Sequence, residues 1–260
     1  MNIRIANFVL FLNMLICATC SADSHLVIMS GQSNMGRMDP SISLKPIVRE
    51  ALAGDEVEFI KMAWGGRSID KWYPNGALYD KLMEGVQKTM KNKSFDTVSF
   101  VWMQGEADTQ KTSTAETYKA NLTGLINTVK SDLKRDDLHV VIGRLNDARE
   151  SDPVRAPDWL KVKKAQVEFA DEYKSGAWIN TDDCNVDTGV HNTDDGYKKM
   201  GIRFGSAIVK LIKGDSPVID EDAFSAHAPD GKDTYTASLD GKGGNKKKDK
   251  KKGKKKAKKK

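Results

Sequence analysis

The chain has 260 residues and a net charge of +6, with 30% charged residues and three cysteines, Cys17, Cys20 and Cys184. The charge is unevenly spread: residues 241–260 hold 13 Lys and one Asp, so the 240 residues before them carry a net −6 against +6 for the whole. This excludes a basic nucleic-acid domain as the core of the protein, and beyond residue 22 the lack of any CxxC pair or HExxH excludes the common zinc spacings.

Taken from the start, Arg4 precedes an apolar run, Phe8 to Ile16, and small residues at Ala18, Ser21 and Ala22. This is the layout of a secretory signal peptide, too short in its apolar part to span a bilayer, and it assigns residues 1–22 to a leader and the protein to a secreted or periplasmic location. Acylation at Cys20 is the less favoured alternative, because Cys17 and Thr19 suit a lipoprotein signal poorly. Cleavage leaves Cys184 alone, so no internal disulfide is expected in the mature chain.

Short apolar runs then alternate with longer amphipathic stretches. Strands are expected at 25–29, 57–63, 97–103, 138–143 and 177–180, and helices at 77–91, 114–134, 157–174 and 194–213. Strand–helix alternation indicates a parallel sheet covered on both faces, with ligands bound beyond the carboxyl ends of its strands. The domain is expected to span 23–215. Residues 216–260 form a polar and then Lys-rich tail that cannot bury apolar surface; it is expected to be disordered and to adhere, at most, to anionic surfaces in a salt-sensitive way.

Four segments carry chemistry, three of them just past a strand end. Gly31-Gln32-Ser33-Asn34-Met35-Gly36 follows the first strand and offers a serine, as helix cap or as nucleophile; the spacing is not that of the GxSxG elbow. Gly65-Gly66-Arg67-Ser68 follows the second, where adjacent glycines form either an ordinary turn or a backbone donor to an oxyanion. Gln104-Gly105-Glu106-Ala107-Asp108 follows the third and offers an amide donor and two carboxylates, for acid–base work or for turns and caps. The last is Asp187-Thr188-Gly189-Val190-His191, before the final helix. Of the four histidines only His191 lies in a loop opening a helix, with a carboxylate four residues earlier that could orient its ring. Trp64, Arg67, Trp72 and Tyr73 cluster near the second loop, as sugar platforms or as core.

Read together, Gly31-Gln32-Ser33-Asn34-Met35, Gly65-Gly66-Arg67-Ser68, Gln104-Gly105-Glu106-Ala107-Asp108 and the block 187–205 resemble the SGNH hydrolase superfamily. They are most similar to its sialate O-acetylesterase and acetylxylan esterase branch, carbohydrate esterase family 6, over about residues 25–213. The resemblance implies a three-layer α/β/α flavodoxin-like fold with a central parallel five-stranded sheet, and a serine esterase that removes O-acetyl groups from a polysaccharide or glycan without cofactor or metal. It implies Ser33 as nucleophile, His191 as base and Asp187 as the orienting acid, with an oxyanion hole from the N–H groups of Ser33 and Gly66 and the side chain of Gln104. Asn34, Arg67, Trp72 and Glu106 are expected to contact substrate or support the site. The family's acid lies three residues before the histidine, where this chain has Thr188, so Asp187 reaches His191 only through a bulge; Asp182, Asp183 or Glu106, or a Ser–His dyad, are the alternatives. A broad esterase or lipase of the same fold, and a decayed glycan-binding protein, are the rival functions.

Overall fold

A computed structural model describes residues 22–74 and 76–215 and the backbone of 236–238. Residues 1–21 of the expected leader and the Lys-rich run at 241–260 therefore lie outside the described residues.

The chain alternates strands and helices. Strand β1 is Ser24–Gly31, followed by a short helix α1, Ser33–Arg37, and by α2, Leu44–Ala51. Strand β2, Glu56–Ala63, leads through a 3-10 turn at Ile69–Trp72 to α3, Ala77–Met90. Strand β3, Thr97–Met103, precedes α4, Thr112–Leu133; β4, His139–Gly143, precedes α5, Ala156–Glu172. After β5, Gly176–Ile179, a small antiparallel hairpin of β6, Val186–Thr188, and β7, His191–Asn192, opens into α6, Asp194–Lys213.

The five expected strands form one parallel sheet in the order β5-β4-β3-β1-β2. A sixth, β8, Thr236–Ser238, extends it beyond β2 in parallel register with Lys61–Ala63. This corrects the expectation for 216–260 at that one point: three residues assigned to the tail join the sheet edge.

Both faces are covered, which explains the near-continuous apolar strands. Alternate residues of β1 point to opposite sides. Leu26 and Ile28 join a core beneath α3, α4 and α5, while Val27 and Met29 join a second core beneath α1, α2 and α6. Helix α6 buries Tyr197, Met200, Phe204 and Ile208 at helical spacing, with the Thr193 hydroxyl accepting from the Gly196 N–H at 3.1 Å to cap its start. The helix α2 was not anticipated. It has barely two turns with Pro46 in the first, where proline is tolerated, and although Leu44, Ile47 and Val48 lie at helical spacing, eight residues are shorter than the stretch over which a period is read.

At the carboxyl edge β1 and β3 approach very closely. The Gln32 N–H donates to the Met103 carbonyl at 2.9 Å, and Gly31 sits at φ +141° with no room beside it: a Cβ there would lie 2.0 Å from the Met103 oxygen. The obstacle is backbone and cannot swing away. We expect Gly31→Ala to lower the melting temperature by about 10 °C or more, corresponding to a loss of about 3–4 kcal/mol for a domain of this size, checked by thermal unfolding against wild type.

Candidate active site

Three loops leave the carboxyl ends of the adjacent strands β1, β2 and β3, and the β6–β7 hairpin folds over them from α6. Ser33 is the first residue of α1, so its N–H is not consumed by a helical hydrogen bond. Its Oγ lies 3.0 Å from His191 Nε2, across 158 residues of sequence. The imidazole is half-buried. Its pKa is lowered from 6.5, chiefly by desolvation and then by the Arg37 charge, with Asp187 pulling the other way, so the ring is neutral and able to accept a proton near neutral pH.

Asp187 reaches the neighbourhood of His191 but not the ring. The hairpin has the bulge that its spacing requires, between Val186 and Thr188. Even so, among the described residues no hydrogen bond joins the Asp187 carboxylate to His191, and His191 Nδ1 has no partner. Asp187 instead lines an open polar cavity of about 490 Å³ with Arg37, Asn192, Thr193, Asp194 and Tyr197. The alternative acids are engaged elsewhere. Asp182 pairs with Arg144 and, at 2.7 Å, with Lys163. Asp183 is held by Arg203 and Lys199, whose hydrogen bonds and charges keep its pKa far below the ordinary range. Glu106 accepts from Asn34 Nδ2 at 2.5 Å.

Gln104 and Trp72 are corrected. The Gln104 side chain is fully buried, and its amide nitrogen faces Asp108 Oδ2 at 2.5 Å, the Arg67 carbonyl at 3.0 Å and Gln32 Oε1 at 3.3 Å. An amide has two hydrogens, so none is left for an oxyanion. What it does is hold the second loop by the Arg67 carbonyl. Trp72 is also fully buried, packed edge-on between Trp64 at 6.0 Å and Trp102 at 5.1 Å. It is a core residue and offers no face to a sugar. Arg67 is exposed and lines a shallow groove with Asp70, Lys71 and Leu78. Asn34 is buried and belongs to the support of the site.

Two supporting side chains, Gln32 and Lys61, were given no role from the sequence, and Asp108 was read only as one of a carboxylate pair. The Gln32 carboxamide oxygen accepts from the backbone N–H of Ala107 at 3.2 Å and of Gly105 at 3.4 Å, fastening the third loop to the first. Asp108 accepts from the Ile69 N–H at 3.0 Å, and burial raises its pKa to about 6. Lys61, in the interior end of β2, donates to the carbonyls of Gly36 at 2.9 Å and Met38 at 2.6 Å and holds the end of α1; burial pushes it down to about 8. A lysine within the otherwise apolar stretch Phe59–Ala63 was the available signal. Gly66, in the second loop, sits at φ +65° with open space beside it. Among the described residues there is no group of three His, Cys, Asp or Glu side chains able to hold a metal ion.

The sequence profile of the carbohydrate esterase, sialic acid-specific acetylesterase family matches residues 37–210, more than half of the chain. The chain belongs to this family. Membership makes it a carboxylic ester hydrolase of the SGNH carbohydrate esterase group. The matched span begins after Ser33, so the pairing of Ser33 with His191 rests on the geometry above. Among curated proteins no sequence matches. Three solved structures share the fold. An Arabidopsis thaliana protein has a TM-score of 0.60 at 16% identity, over 75% of this chain and all of that one. A carbohydrate acetylesterase from Xanthomonas citri has 0.57 at 14%, over 73% of this chain and 56% of that one. A carbohydrate esterase family 3 protein from Talaromyces cellulolyticus has 0.52 at 15%, over 74% of this chain and all of that one.

Two outcomes are expected of this acetylesterase-family site. Asp187 acts on His191 through space only, so Asp187→Asn should lower kcat about tenfold, far from the roughly 10⁴-fold loss seen where an aspartate hydrogen-bonds the imidazole; steady-state kinetics decide. Glu106 is fully buried, and desolvation raises its pKa from 4.5 to about 7. The folded state therefore holds a proton that the unfolded state releases between these values, and stability falls as pH rises through that window, by up to about 3 kcal/mol. Urea unfolding from pH 4.5 to 8 should show this decline in wild type and a flatter profile in Glu106→Gln.

Proposed function

We propose that this protein is a secreted carbohydrate esterase that hydrolyses O-acetyl esters on a glycan, with Ser33 as nucleophile and His191 as general base. The observation that carries the reading is the 3.0 Å approach of Ser33 Oγ to His191 Nε2 at the carboxyl edge of the sheet, in a chain of an acetylesterase family. Ser33 Oγ attacks the acetyl carbonyl as His191 takes its proton. The backbone N–H groups of Ser33 and Gly66 receive the oxyanion, two donors in place of the three expected. The sugar oxygen leaves with the proton from His191, and water, activated by the same ring, releases acetate. Asp187 favours the imidazolium by its charge.

The polar lining of the cavity beside His191, from Arg37, Asn192, Thr193, Asp194 and Tyr197, supports a sugar over a long acyl chain. Arg67, exposed on the second loop, is the side chain best set to contact the glycan away from the ester. Among the described residues no helix is long and apolar enough to cross a membrane. The apolar run at 8–16 supports export.

The test is acetate release from p-nitrophenyl acetate, acetylated xylan and O-acetylated sialic acid by the full chain. Ser33→Ala should lose at least about 10³-fold, p-nitrophenyl palmitate should be cleaved poorly, and kcat/KM should fall on the acid side with an inflection below pH 6.5, where His191 becomes protonated. Release that survives Ser33→Ala, or a folded wild type that releases nothing, overturns the reading.

A further inference from the structure

Between the segment that carries Ser33 and the segment that carries His191, the described residues form three side-chain hydrogen bonds. One is the Ser33–His191 contact itself. The other two belong to Asn34, the residue after Ser33. Its Nδ2 donates to the carbonyl of Val190, the residue before His191, at 3.0 Å, and its Oδ1 accepts from the Tyr197 hydroxyl at 2.8 Å. A single amide thus ties the backbone neighbour of the nucleophile to the backbone neighbour of the base.

The tie works in one orientation only. The second Asn34 N–H donates to Glu106 Oε1 at 2.5 Å. Above about pH 7, where Glu106 is ionised, a flipped amide would set its oxygen against a carboxylate and a carbonyl, two acceptors that offer no hydrogen, whereas Tyr197 serves either end. Glu106 is therefore what fixes the amide. It is an expensive residue to bury: its side chain meets no cation, and its Oε2 has no partner among the described residues. A group kept at such cost at this depth points to a positional demand.

We propose that Asn34 is the positioning residue that holds His191 Nε2 at bonding distance from Ser33 Oγ, and that Glu106 fixes the amide orientation on which this depends. The proposal rests on the reading of Ser33 and His191 as nucleophile and base, and it assigns neither Asn34 nor Glu106 a contact with substrate. A displacement of about 1 Å between reacting groups costs on the order of 100-fold in rate, so the clamp should be visible in kcat and nearly silent in KM.

The full chain is compared with Asn34→Asp, Glu106→Ala and Glu106→Gln, using p-nitrophenyl acetate for kinetics and the imidazole C–H resonances for the titration of His191. Asn34→Asp keeps the shape but replaces both donated hydrogens by an acceptor; it should lower kcat about 100-fold with KM within about threefold, and should move the His191 titration. Glu106→Ala should approach the same loss, and Glu106→Gln, which can still offer Asn34 an oxygen, should recover kcat to within about tenfold of wild type. Retention of kcat within threefold in Asn34→Asp, or a Glu106→Gln variant as impaired as Glu106→Ala, overturns the clamp. If Asn34→Asp does not fold, as judged by near-UV circular dichroism, the Glu106 pair decides. If wild type proves inactive on every ester, the esterase reading falls but the clamp is still judged: a His191 titration moved by these substitutions upholds it, and an unmoved one overturns it.

Discussion

The architecture of the site depends on how closely β1 and β3 run together at their carboxyl ends. Because Gly31 lies against the Met103 carbonyl without a side chain between them, the Gln32 N–H can bond that carbonyl and the Gln32 side chain can reach over to the amides of Gly105 and Ala107. Two loops are thereby fixed to one another with a tolerance of tenths of an ångström. The second loop is added by Gln104 and Asp108, which grip the Arg67 carbonyl and the Ile69 N–H. The hairpin bearing His191 then closes on a platform that is already rigid.

Much of that rigidity comes from groups that are costly to bury. Lys61 holds the end of α1 by two carbonyls, Asp108 holds an N–H of the second loop, and Glu106 holds the Asn34 amide. Each acts on backbone or on a side chain adjacent to a reacting residue, and each has its ionisation opposed by desolvation. Apolar residues could fill the same volume with less penalty, but they could not select one orientation of a peptide group or an amide. Pre-arranged dipoles are what an ester hydrolase needs, since they stabilise developing charge without reorganising during the reaction.

The sheet and its helices were legible because their signals are periodic. The run 97–103 matches β3 at both ends, and 194–213 matches α6, where a threonine cap and a helical apolar stripe coincide. The two-turn α2, the β6–β7 hairpin and β8 were not legible: the first is shorter than the stretch over which a helical period is read, and the others are two or three residues long. Within the site, sequence order picked out the loops but not the direction in which their polar side chains point. Gln104 and Trp72 turn inward to the core, and Asp187 turns into a polar cavity, because tertiary partners decide these directions. Asn34 meets Glu106 across 72 residues and Val190 across 156, distances over which no local pattern carries information. The absence of an acid at position 188 was visible, and the bulged hairpin is its structural counterpart.

The 158 residues between Ser33 and His191 also bear on how the protein comes into being. The serine belongs to the first strand–helix unit of the chain, while the imidazole belongs to a hairpin steadied by α6, the last helix of the domain, which packs on α2, β4 and β5. Loop closure over such a span is among the slower events in assembling a parallel sheet. A growing or partly folded chain thus carries the proposed nucleophile without the proposed base. The proposed hydrolytic pair is completed only when α6 docks, and a proteolytic cut that released α6 would remove it and uncover the sheet face that Met200, Phe204 and Ile208 bury.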